Sequence, residues 1–189
     1  MPAPSKRDQL VEHALTLFYQ YGFHATGIDL IIATAQVSKK TLYNHFKSKE
    51  DLIIATLEKR DRDFREFLTA QVDRLATESP ARLLAVFDVL ALWFNQATFS
   101  GCIFINASAE FPRIEDPCHQ ICTAHKQAIS AYLLTLCRAA DALQPERLAK
   151  QLALIIEGAI VDAYVNNNKL AAQDAKDLAQ LVIPMSLNR

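Results

Sequence analysis

At 189 residues, 51% of them hydrophobic, the chain can bury a core without disulfides or a structural metal. Four glycines and seven prolines are too few for an all-β sandwich or a glycine-rich nucleotide fold. No run approaches the twenty apolar residues of a membrane span, and the opening residues lack the apolar stretch of a secretory signal. The formal charge of −1 hides an asymmetry, because the first sixty residues carry eight basic and six acidic side chains and the remainder twelve and fifteen.

The predicted elements are helices throughout, nine of them. Leu10, Ala14, Leu17, Phe18 and Tyr21 lie on one face of a first helix, with Ser5 as its N-cap and Gly22 at its end. A short second helix carries Ile28, Ile31, Ile32 and Ala35. Val37-Ser38 breaks it, and Ser38 is placed to cap a third helix over 39–46. A long fourth helix begins near Lys49, with Ile53, Leu57, Phe64 and Leu68 along one side. Ser79-Pro80, Asp116-Pro117 and Gln144-Pro145 open helices over 81–97, 118–140 and 146–166 by placing proline in the first turn. An apolar helix over 101–111 is closed by Pro112, and a last helix spans 171–183.

The window 37–49 holds Lys39, Lys40, Lys47 and Lys49 and no acid. On a helical wheel, Leu42 and Phe46 point inward. Lys40 and Asn44 point outward, flanked by Thr41 and Tyr43. A cation, an amide, a hydroxyl and a phenol on one solvent face can bond phosphates and base edges. Two short helices joined by a tight turn, the second carrying such a face, make a helix-turn-helix. A solvated helical hairpin, or a helical module that binds protein rather than DNA, is the rival reading.

The segment GFHATGIDLIIATAQVSKKTLYNHFKSKEDL resembles the N-terminal domain of the TetR/AcrR family of bacterial transcriptional regulators. Gly22-Phe23, Thr26, Ala35, Val37-Ser38, Thr41-Leu42-Tyr43, His45-Phe46 and Lys49 carry the resemblance. It departs at Gly27, where a Ser or Thr cap is usual, and at Gln36, which replaces a turn glycine and would be strained there if φ is positive. The resemblance implies an all-α fold with a helix-turn-helix domain over 1–50 and an effector-binding and dimerisation domain over 51–189. It also implies a homodimer that binds an approximately palindromic double-stranded DNA operator and is released by a small-molecule effector, as a repressor. By the same resemblance Tyr43, His45 and Lys49 hold the phosphate backbone, helped by Thr26, Gly27 and Ser38 at helix N-termini. Lys39, Lys40, Thr41 and Asn44 reach base edges.

The small residues of the last two helices, Gly158, Ala159 and Ala163 with Ala171, Ala172, Ala175 and Ala179, suit either a dimer seam, placed near Ala159, or intramolecular packing. On the helix over 101–111, Cys102, Asn106 and Glu110 form one polar stripe. Buried, they need partners: an internal network through His125 or Tyr164, or an effector lying against Trp93, Phe94 and Phe104. Cys118 and Cys122, one turn apart with His119 and His125 nearby, leave open a metal- or redox-responsive regulator, although no C-x-x-C pair exists. No catalytic signature occurs, so the chain is expected not to be an enzyme, to need no cofactor and to work in the reducing cytoplasm without a membrane.

Overall fold

The computed structural model describes residues 5–187 and, among them, nine α-helices and no strand. In chain order they are α1 (Lys6–Tyr21), α2 (Ile28–Thr34), α3 (Lys39–His45), α4 (Lys49–Leu75), α5 (Ser79–Phe94), α6 (Ile103–Glu110), α7 (Pro117–Ala139), α8 (Pro145–Val165) and α9 (Ala171–Met185). No described helix is long and apolar enough to cross a membrane.

Two compact units emerge, and their border differs from the expected one at residue 50. One comprises the chain up to Asp63 together with Cys102–His125, and the other comprises Phe64–Gly101 and the chain from Lys126 onward. The segment carrying α6 joins the N-terminal unit for a physical reason. Glu110 binds the turn after α1, Phe111 lies edge-on against Phe23 with ring centroids 5.8 Å apart, and His125 bonds Asp61 of α4.

In the first unit, the Ser5 hydroxyl starts α1 by accepting the Asp8 N–H at 3.1 Å. Leu10, Val11, Ala14, Leu17 and Phe18 form the buried face of α1, and Phe18 stacks on Phe23 at 5.1 Å. Gly22 ends the helix at φ +85°, a backbone state that other residues rarely adopt. Ile31 of α2 and Leu42 of α3 are fully buried where α1, α2 and α3 pack together.

In the second unit, α5 is apolar almost all round, and such a helix must be central. Leu83, Val86, Phe87, Val89, Leu90 and Trp93 are buried, and α5 packs on both α8 and α9, which also pack on each other. Asp116 caps α7 as the sequence predicts, accepting the Cys118 N–H at 2.8 Å. Ser79 instead lies inside α5, whose cap position is Glu78. α5 ends at Phe94, three residues earlier than expected at 97, where the side chain of its cap Asn95 donates to the Ala91 carbonyl.

The alanines among the small residues do not mark an exposed seam. Ala159 and Ala163 of α8 and Ala171, Ala172, Ala175 and Ala179 of α9 are all buried within the chain itself. The faces left in solvent are other rows: Leu154, Gly158, Val161 and Val165 on α8, and Leu178, Leu181 and Met185 on α9.

Candidate nucleic-acid interface

The helix with the expected DNA-facing side chains is α3. The Ser38 hydroxyl caps it by accepting the Thr41 N–H at 3.1 Å, and lies 2.9 Å from the Thr41 hydroxyl. Leu42 and Phe46 anchor one side in the core. The opposite side presents Lys39, Lys40, Tyr43, Asn44 and His45 to solvent, with Ser38 exposed and Thr41 half-buried. The turn before α3 holds Gln36 at φ +52°, the left-handed state in which a side chain is strained. Gly27 caps α2 through its backbone only, and a Cβ there would meet nothing within 4 Å.

Two partners of the basic window, Asp29 and His24, lie outside it and escape a reading of it. Asp29, in the first turn of α2, sits 3.6 Å from the Lys39 ammonium. With side chains 60% and 86% exposed, the pair contributes little to stability but partly neutralises one cation of the basic window. Lys49, at the start of α4, donates from Nζ to the His24 carbonyl at 3.4 Å.

Thr26 is a correction. It is fully buried, and its hydroxyl donates to the Gly22 carbonyl at 2.7 Å, so its side chain closes the turn after α1 and cannot reach a phosphate.

The effector candidates divide between the two units. Trp93 and Phe94 belong to the second, in an aromatic cluster where Trp93 meets Phe64 at 4.8 Å and both residues meet Phe99 at 5.3 and 5.0 Å. Cys102, Phe104, Asn106, Glu110 and His125 belong to the first. Phe104 stacks on the buried His125 ring at 3.7 Å, and His125 Nδ1 lies 2.8 Å from Asp61 Oδ1. Cys102 is the backbone cap of α6.

Glu110 has a different setting from either expected network. Its carboxylate accepts the Phe23 N–H at 2.9 Å and the His24 N–H at 2.6 Å, and lies 2.7 Å from His24 Nδ1. Burial opposes its charge, but these hydrogen bonds outweigh that and hold its pKa below the usual carboxylate value. Neither His125 nor Tyr164 is the expected partner: His125 pairs with Asp61, and Tyr164 packs at Gly101. The sequence marks Glu110 as a polar group needing a partner, but the partner is 87 residues away and no local pattern reveals it.

The four cysteines are buried, and none is in a disulfide. Burial pushes the Cys118 thiol up to about 12, reinforced by Asp116 and Cys122, and the Cys137 thiol up to about 11. Such thiols stay protonated and are poor nucleophiles and metal ligands. Among the described residues no group of three His, Cys, Asp or Glu side chains could hold a metal ion.

Comparison with known proteins converges on this geometry. Residues 10–56 match the model of bacterial regulatory proteins of the tetR family, and residues 79–179 match the tetracyclin repressor-like C-terminal domain. The HTH-type transcriptional regulator YjdC of Escherichia coli is 22% identical over 186 residues, covering 94% of this chain and 93% of the relative. The HTH-type transcriptional repressor NemR of Escherichia coli is 31% identical over 105 residues, 55% of this chain and 53% of its own. A TetR-family transcriptional regulator from Streptomyces coelicolor superposes with a TM-score of 0.90 at 29% identity, covering 97% of this chain and 96% of its own. The chain belongs to the TetR family of bacterial regulators and is a DNA-binding transcriptional regulator.

Proposed function

We propose that the protein is a homodimeric repressor that reads an approximately palindromic operator through α3 and leaves it when a small molecule binds the C-terminal unit. The observation that carries the DNA half of this reading is the solvent face of α3, where Lys39, Lys40, Tyr43 and Asn44 stand clear of the core while Leu42 and Phe46 hold the helix in place. Lys40, Thr41, Asn44 and the partly neutralised Lys39 are the base-edge readers. Tyr43, His45 and Lys49, with the N-terminal backbone at Gly27 and Ser38, take the phosphates.

The dimer is supported by α8 and α9. Leu154, Val161 and Val165 on α8 and Leu178, Leu181 and Met185 on α9 are exposed, and apolar side chains gathered on neighbouring helices are the kind of surface that marks an interface. Gly158 adds a second argument. Glycine inside a helix costs about 1 kcal/mol against alanine, and among the described residues nothing beyond its own helix backbone and chain neighbours lies within 4 Å of its missing Cβ. Close approach of a partner helix supplies the reason that the chain's own packing does not.

The effector is assigned to the aromatic cluster of the second unit, where Phe94 lines a cavity of about 470 Å³ with Phe99, Tyr164, Asn95, Asn167 and Lys169. Aromatic walls with a few amides and one cation suit a small, partly polar molecule. Release of DNA requires that it bind more tightly to the state with misplaced reading helices.

The experiment is a pair of variants measured against DNA from upstream of the protein's own gene. Lys49→Ala weakens binding to every sequence and lowers the salt slope by about one unit, because one phosphate contact is lost. Asn44→Ala leaves the slope nearly unchanged and relaxes preference at one base position. Equal, sequence-independent losses from both variants would remove base reading from α3.

A further inference from the structure

We infer that Glu110 is a positioning residue for DNA binding: by filling an anion nest in the turn after α1, it fixes the His24 carbonyl that holds the Lys49 ammonium toward the phosphate backbone. The inference rests on the DNA-binding surface proposed above, and all of its groups lie within one compact unit.

The turn over 22–24 is built to receive an anion. Gly22 at φ +85° turns the chain so that two successive N–H groups, of Phe23 and His24, point at one spot. Consecutive backbone donors in this arrangement form a concavity that takes an oxyanion. Here the oxyanion comes from the C-terminal end of α6. Each Glu110 oxygen takes one backbone donor, and the His24 ring adds a third contact at 2.7 Å. The fit is close, since a Cβ on Gly22 would stand 2.9 Å from Glu110 Oε1. Phe111, the next residue, packs on both sides of the turn, 5.8 Å from the Phe23 ring and 5.1 Å from the His24 ring. The His119 ring in turn lies 2.8 Å from the Phe111 carbonyl and ties this end of α6 to α7.

The same residue also faces the basic segment, through the peptide unit that follows. The His24 carbonyl accepts from Lys49 Nζ at 3.4 Å, so one residue is gripped by Glu110 through its N–H and ring and grips Lys49 through its oxygen. A carboxylate drawing on the N–H of His24 and a cation drawing on the carbonyl of the same residue fix the orientation of that turn. Lys49 stands at the first position of α4, and its partner His24 lies three residues before Gly27, the backbone cap of α2 proposed above to take a phosphate. Without the Glu110 anchor, the turn loses three bonds to one charged group. Lys49 then loses its fixed carbonyl and spends part of its time away from the phosphate.

The test uses the full-length protein, with melting temperature and the salt dependence of DNA binding measured for Glu110→Gln, Lys49→Ala and the double variant. Glutamine keeps the shape of the side chain but sets an NH₂ against one of the two backbone donors. Glu110→Gln is expected to weaken DNA binding roughly tenfold, within the range for losing bonds to a charged group, and to lower the salt slope by up to about one unit. The double variant is expected to bind no more weakly than Lys49→Ala, because both changes remove the same phosphate contact. A merely structural role would lower the melting temperature while leaving the slope unchanged and the two effects additive, and that result overturns the inference. Should Glu110→Gln fail to fold, His24→Ala decides the matter, since it removes only the ring arm. A smaller loss with a reduced slope supports the inference, and a parental slope overturns it. Failure of the parent protein to bind DNA would instead strike the DNA-binding reading itself.

Discussion

Gln36 shows how a single backbone angle sets a local cost. An L side chain in the left-handed region costs roughly 1–2 kcal/mol, and glycine avoids that at the expense of a more flexible unfolded chain. With Gln36 at φ +52° and its side chain exposed, Gln36→Gly should stabilise the folded protein by about 0.5–1 kcal/mol, read as a higher midpoint in urea with an unchanged slope. A lower midpoint would mean that the Gln36 side chain makes a contact worth more than the strain. The sequence discloses this residue because its neighbours, Ala35 and Val37-Ser38, fix its place in a known turn. Thr26 is the contrary case. Its hydroxyl can either face a phosphate or close the preceding helix, and only the fold decides, by burying it over the Gly22 carbonyl.

At the scale of elements, the helices are legible because their ends are written in local chemistry: Ser5 and Ser38 as caps, Gly22 as a stop, Asp116-Pro117 as a start. Their affiliations are less so. That α6 belongs with the N-terminal unit depends on Glu110 meeting a turn 87 residues away, and apolar periodicity carries no such address. The alanines of α9 were equally ambiguous, since small residues serve any close helix contact. Their burial against the chain's own helices moves the outer surface to Leu178, Leu181 and Met185. A pair of substitutions separates the two faces. Ala179 is 0% exposed, so Ala179→Glu buries an unpaired charge and should prevent stable folding. Leu181 is 67% exposed, so Leu181→Glu should keep the helical circular dichroism of the parent and convert the protein to monomer in light scattering. Retention of the dimer by Leu181→Glu would place the interface on another face.

For the whole molecule, the arrangement separates tasks between two compact units. One carries the proposed reading helix, the nest and its carboxylate; the other carries the central α5, the aromatic cluster and the exposed rows of α8 and α9. Sequence composition excluded other classes at this scale and located the basic segment, but it could not say which apolar rows lie outside, because that depends on how the helices are rotated about their axes. The most direct measurement is a footprint of the purified protein on DNA upstream of its own gene, repeated across a salt series. A dimer with two α3 helices protects two inverted half-sites separated by about one helical turn, roughly 10–10.5 base pairs centre to centre, or a multiple of it, and protection fades steeply as salt rises. A single unrepeated half-site, or protection indifferent to salt, would contradict the account.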